Sequence, residues 1–268
     1  MSEIIHYSFG ELMKYFNGYN FKLYHGDCVD VMKSMPGESF DMIFADPPYF
    51  LSDGSFTCVG GERAPVKKGD WDIGLSKQEQ CDFHFTWVKE CRRILKDTGT
   101  IWISGSYHSI YFCGASLHLN DFYILNEIIW YKLNPPPNLA CKVFTAGHET
   151  LIWAKKDKKF KHTFNYDLMK NTEWDDILKN PGKQMRSVWA IKGVTRDEKK
   201  FGKHPTQKPE ELLRRIILAS SKEGDSLLDP FQGSGTTGIV AVKNGRKYVG
   251  IDKEKQYLET AKKRFFDG

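Results

Sequence analysis

The sequence predicts a doubly wound α/β fold in which helices cover both faces of a mostly parallel sheet. Three observations lead there. Short apolar runs bounded by turn residues alternate with helical stretches. A glycine-rich turn, Asp229-Pro230-Phe231-Gln232-Gly233-Ser234-Gly235-Thr236-Thr237-Gly238, joins a strand to a helix, and the acid Asp252 closes the strand that follows. A chain of 268 residues, 40% hydrophobic and 14% aromatic, is large enough to bury a core without disulfides or metals, so one domain over 1–268 is expected.

The elements follow in chain order. Phe21 to His25 and Phe40 to Ala45 are apolar runs stopped by Gly26-Asp27 and by Asp46-Pro47-Pro48-Tyr49, which reads as two strands. A helix around residues 77–95 closes at Lys96-Asp97-Thr98-Gly99, and Thr100 to Ser104 is a third strand. Phe122 to Tyr131 and Glu149 to Ala154 lie close enough to pair antiparallel. Glu210 to Ser221 places Leu212, Leu213, Ile216, Ile217 and Ala219 on one helical face. The strand Ser226 to Leu228, a helix from about Thr236 to Lys243, the strand Lys247 to Ile251 and a helix from about Lys255 to Phe266 complete the chain. Residues 50–75 and 155–202, rich in Gly, Lys, Asp and Asn, fit neither element type and read as binding loops.

Charge is unevenly distributed. The chain carries net +5, but residues 131–208 hold 17 Lys/Arg against 8 Asp/Glu, so that segment is +9 and the remainder −4. The N-terminus lacks the basic start and apolar run of a secretory signal, and no run approaches the ~18 apolar residues of a membrane span, which implies a cytoplasmic protein without a membrane partner. Six cysteines with no CxxC pair suggest reduced thiols and no metal site.

Two constellations point to chemistry. Gly233, Gly235 and Gly238 with Asp252, 19 residues after Gly233, suit an adenosine-containing cofactor whose ribose hydroxyls the acid would accept. Asp229 beside the helix N-terminus disfavours a pyrophosphate but suits a ligand bearing an ammonium and a sulfonium. Asp46-Pro47-Pro48-Tyr49 presents a carboxylate, a carbonyl and an aromatic ring at a strand's carboxyl end. Two acceptors there, Asp46 and the Pro47 carbonyl, would hold both hydrogens of an exocyclic amine while it attacks an electrophilic methyl. On residue types alone, a Pro-Pro turn that merely ends a strand explains the tetrapeptide equally well.

Together these residues resemble the amino-methyltransferases that modify adenine or cytosine in DNA with S-adenosylmethionine. The catalytic motif precedes the cofactor motif, as in the β-class permutation. Gly26-Asp27-Cys28, His204-Pro205-Thr206-Gln207-Lys208-Pro209 and Gly245 to Asp252 also match, so the resemblance runs from about residue 21 to 266. It implies a largely parallel seven-stranded sheet with its last strand antiparallel, a target-recognition insertion at 155–202 and a mobile active-site loop at 50–75. It further implies that Asp46, Pro47, Pro48 and Tyr49 are catalytic, with Tyr49 stacking on the base. Asp27 and Cys28 would meet the cofactor's adenine, and His204, Thr206 and Lys208 would lie along its methionine carboxylate. Asp229, Pro230, Phe231, Gly233, Ser234, Gly235 and Thr236 would cradle methionine and ribose, and Asp252 would hold the ribose. Asp46, where cytosine enzymes more often have Ser, favours adenine N6.

Asp46 to Ser52, Lys68 to Asp72, Trp102 to Ser106, Asn134 to Leu139, Asn165 to Lys170 and Gly202 to Pro209 are similar to the second, single-strand-capable GATC methyltransferases of DpnII/MboI-type restriction systems. The implied partner is DNA, double- or single-stranded, and a homodimer stays open. Lys155, Lys156, Lys158, Lys159, Lys161, Lys192, Arg196, Lys199, Lys200 and Lys203 would neutralise phosphates. An N4-cytosine methyltransferase, an NAD-dependent oxidoreductase argued from GxGxxG and Asp252, and a non-catalytic nucleic-acid-binding module remain alternatives.

Overall fold

The computed structural model describes residues 14–50, 56–59, 62–65, 75–202 and 204–267. Their strands are β1 (Lys14–Asn17), β2 (Phe21–His25), β3 (Phe40–Ala45), β4 (Phe56–Val59), β5 (Glu62–Pro65), β6 (Leu95–Gly105), β7 (Tyr123–Tyr131), β8 (His148–Lys155), β9 (Val188–Ala190), β10 (Ser226–Asp229) and β11 (Lys247–Asp252). The helices are α1 (Cys28–Lys33), α2 (Lys77–Ile94), α3 (Ile110–Leu119), α4 (Tyr166–Asn171), α5 (Glu210–Ser220), α6 (Thr236–Lys243) and α7 (Lys255–Asp267).

Nine strands form one sheet in the order β1-β2-β11-β10-β3-β6-β8-β7-β9, and β4 pairs with β5 separately. The expected seven strands are therefore exceeded by β1 and β9, both short and both at sheet edges. A three-residue strand such as β9 carries too little alternation for periodicity to register. The reversed strands are β1, antiparallel to β2, and β8, antiparallel to both β6 and β7. The last strand, β11, instead lies inside the sheet and runs parallel to β2 and β10, which corrects the expectation of a reversed final strand.

Strand side chains alternate between two cores, which is why the sequence reads as near-continuous apolar runs. Met42, Phe44, Trp102, Leu151, Trp153 and Leu227 face α5, α6 and α7, packing with Leu212, Ile216, Val240, Ala241, Leu258 and Ala261. Ile43, Ala45, Ile101, Ile103, Ile152, Ala154 and Leu228 face α1, α2 and α3, packing with Val31, Met32, Trp87, Ile94, Ile110 and Leu117. A capping box between Ser76 and Glu79 sets where α2 begins.

Segments 50–75 and 155–202 both contain regular elements among the described residues. Within 50–75, β4 and β5 form an antiparallel ribbon, and 51–55, 60–61 and 66–74 lie outside the described residues. Within 155–202, α4 and β9 form, β9 extends the sheet beside β7, and a buried ion pair ties the segment to α5. Arg215 Nη1 meets Asp176 Oδ2 at 2.5 Å, both side chains essentially inaccessible, with Trp174 and Trp189 against the guanidinium. No helix among the described residues is long and apolar enough to cross a membrane.

Candidate active site

The carboxyl ends of β2, β3, β10 and β11 surround a cavity of about 460 Å³, where parallel sheets present ligand sites. Every sequence-predicted site residue lines it except Gly235. Gly235 instead caps α6 with φ +77°, and a Cβ there would stand 2.8 Å from the Cβ of Ala261. The backbone and the helix packing both require glycine here.

At one end of the cavity the two prolines turn the chain so that Tyr49 folds back on Asp46, its hydroxyl donating to Asp46 Oδ1 at 2.8 Å. Lys208, arriving just before α5, donates to Asp46 Oδ2 at 2.5 Å and to the Tyr49 hydroxyl at 3.2 Å. Two further residues join them that no motif announced. Glu149, near the start of β8, places Oε2 3.4 Å from Lys208 Nζ and Oε1 2.5 Å from Lys132 Nζ. Two ammonium groups thus balance two carboxylates in a largely buried cluster.

Burial raises the pKa of Asp46 against the opposing pull of Lys208. For Lys208, burial works toward a lower value, but Asp46 and Glu149 prevail and hold it above the usual lysine range. Glu149 would likewise be raised by burial, yet Lys208 and Lys132 bring it down to about 2. Tyr49 is pushed well above an ordinary phenol by burial and by both carboxylates. The Tyr49 ring is buried, and the Lys208 ammonium lies 5.4 Å from its centroid, so the expected stacking face is partly covered by a cation.

The glycine-rich turn lines the same cavity. Asp229 accepts the Phe231 amide at 3.0 Å and the Thr237 hydroxyl at 2.6 Å, which ties the end of β10 to the first turn of α6. Asp252 accepts the Gly233 amide and the Glu254 amide, each at 2.8 Å. Burial pushes both carboxyls up to about 7. Arg264 of α7, unmarked in the sequence, donates to the Ser234 carbonyl at 3.0 Å and to the Thr236 hydroxyl at 2.8 Å.

His204 lines the cavity beside the turn. Its ring lies against Gly233, where a Cβ would come within 3.0 Å of Nε2, and meets Tyr257 edge-on at 4.3 Å. Its Nδ1 accepts the Thr206 amide at 3.3 Å. Asp27 caps α1 through the Val29 amide at 2.9 Å, and burial raises the Cys28 thiol far above a reactive value.

Several basic residues predicted to meet phosphates are engaged internally. Lys155 donates to the carbonyls of Lys158 and Phe160, Lys156 pairs with Asp97 at 3.0 Å, and Lys192 with Asp175 at 2.8 Å. Lys158, Lys159 and Lys161 are exposed or nearly so, whereas Lys203 lies outside the described residues.

A carboxylate, an aromatic ring and a glycine-rich turn thus line one cavity. The family model described as DNA methylase matches residues 40–263. The chain belongs to the DNA methylase family. Among curated relatives of this methylase, the type II methyltransferase M2.DpnII of Streptococcus pneumoniae is 52% identical over 251 residues, 93% of this chain and 91% of the relative. M2.MboI of Moraxella bovis is 47% identical over 248 residues, 92% and 88% of the two chains. The solved M1.HpyAVI complex with S-adenosylmethionine has a TM-score of 0.63 at 26% identity, over 91% of the methylase and 99% of that chain. The cytosine-N4-specific PvuII methyltransferase reaches 0.70 at 19% identity, over 92% and 86%, a likeness of fold alone.

Proposed function

We propose that the chain transfers the methyl group of S-adenosylmethionine to N6 of adenine in GATC, in duplex or single-stranded DNA, as the modification partner of a restriction system. The observation that carries this reading is the placement of Asp46, Pro47 and Tyr49 in the same cavity as the glycine-rich turn and Asp252. The residues present fit that cofactor. Asp27, Asp229 and Asp252 surround the turn with carboxyl oxygens, which accept hydroxyl and ammonium donors and offer a pyrophosphate none of the donors it needs. S-adenosylmethionine supplies an electrophilic methyl on a sulfonium. Asp252 would accept the ribose hydroxyls, and Lys208 would counter the carboxylate of its methionine portion.

Asp46 and the Pro47 carbonyl would each accept one hydrogen of the adenine amine. That pair holds the nitrogen lone pair out of conjugation and aims it at the methyl. Asp46, as the acceptor of one of those hydrogens, would be placed to take the proton that N6 sheds after transfer. An adenine stacked in duplex DNA cannot reach Asp46, so it must be extruded or already unpaired. The exposed lysines of 155–202, which we read as the target-recognition insertion, supply sequence-independent affinity. The test is transfer of labelled methyl to unmethylated GATC oligonucleotides, followed by nucleoside analysis. Label in N6-methyladenine supports the reading, and label in N4-methylcytosine contradicts it.

A further inference from the structure

Glu149 has no part in the reading above, yet it stands where two of its groups meet. The Lys208 ammonium and the Tyr49 hydroxyl each face two carboxylates. Asp46 takes them at 2.5 and 2.8 Å, and Glu149 Oε2 stands 3.4 Å from both. Both oxygens of Asp46 are therefore engaged. For Asp46 to accept an exocyclic amine, these two donors must move, and a buried ammonium or phenol stripped of its acceptor is strongly disfavoured.

We propose that Glu149 is a positioning residue that takes over the Tyr49 hydroxyl and the Lys208 ammonium when Asp46 engages the target amine. This rests on the reading of Asp46 as the amine acceptor. The hand-over exchanges hydrogen bonds only, with no covalent bond made or broken. Its direction is set by place: Glu149 Oε2 already stands 3.4 Å from both donors, so each needs only a short displacement to close on it. Lys132 holds the other Glu149 oxygen at 2.5 Å, which keeps that carboxylate ionised and fixed while its partners move. Loss of Glu149 leaves Asp46 as the acceptor both donors share, and the amine must then compete for it.

Glu149→Gln preserves the size of the side chain and tests the proposal through single-turnover methyl transfer to a GATC oligonucleotide. The expected result is a rate lowered about tenfold or more, the loss for one charge-assisted hydrogen bond, with the Kd for S-adenosylmethionine within about threefold of wild type, a spread too small to explain that loss. In a Tyr49→Phe background the same substitution should cost less, because one of the two donors is gone. A wild-type rate, or an equal loss in both backgrounds, overturns the hand-over. Should Glu149→Gln fail to fold, Glu149→Asp carries the test, since it keeps the charge but withdraws it by one methylene. A slowed rate supports the proposal and a wild-type rate overturns it. If the wild-type chain leaves adenine unmethylated, the reading of Asp46 fails instead.

Discussion

Asp252→Asn separates cofactor binding from methyl transfer. The Asp252 carboxylate accepts the Gly233 amide and the Glu254 amide, each at 2.8 Å, so it braces the glycine-rich turn with both oxygens. An amide side chain keeps one acceptor and turns an NH2 toward the other N–H. At least one charge-assisted hydrogen bond is lost, worth about 1.5–3 kcal/mol, and the ribose acceptor weakens with it. The expected consequence is a Kd for S-adenosylmethionine raised roughly 10- to 150-fold, measured by titration calorimetry on protein whose melting temperature confirms folding. Methyl transfer at saturating cofactor should change far less, because Asp46, Tyr49 and Lys208 hydrogen-bond to one another and to Glu149 rather than to Asp252. A Kd within about threefold of wild type, less than one such hydrogen bond accounts for, in a folded variant would refute the role given to Asp252.

Three further outcomes follow from the same geometry. Asp176→Ala strands the Arg215 guanidinium in the core and should cost about 3–5 kcal/mol, a fall in melting temperature of roughly 6–20 °C for a chain of this size; a shift under about 2 °C, well below that range, would contradict the anchoring of the 155–202 segment. Gly235→Ala, strained by φ +77° and by the approach to Ala261, should destabilise by about 1–3 kcal/mol while the folded protein binds S-adenosylmethionine normally. Asp229 is held neutral up to about pH 7 but ionises near 4 when unfolded, so the native state binds the extra proton between those values. Its contribution to stability is therefore present near pH 4 and is lost as pH rises through about 7. Asp229→Asn removes that dependence, and the variant should gain on wild type in urea unfolding at pH 8 compared with pH 5.

Most of the fold was legible because its strands are buried on both faces and its later helices are amphipathic. Glu210–Ser220 begins where the spacing of its apolar residues places it, and Thr236–Lys243 begins directly after the glycine-rich turn. The helix Ile110–Leu119 escaped because its sequence, Ile110-Tyr111-Phe112-Cys113-Gly114-Ala115-Ser116-Leu117-His118-Leu119, is apolar on nearly every side and so shows no face. Strands Lys14–Asn17 and Val188–Ala190 are too short to show alternation and depend on the neighbour they pair with. At the site, the residues carried by contiguous motifs were found, whereas Glu149, Lys132 and Arg264 were not. Each of these is an ordinary charged residue in its own segment and acquires a role only from what the fold sets against it across the sheet. Gly235 shows the converse, a glycine inside a motif that serves the packing of α6 on α7.

The measurement that tests the central claim most directly is single-molecule sequencing of DNA from cells expressing the wild-type chain beside cells expressing Asp46→Ala. The account requires N6-methyladenine at GATC in the first and none in the second, with the variant still binding S-adenosylmethionine. Methylated cytosine, modification confined to other sequences, or undiminished methylation by Asp46→Ala would contradict it.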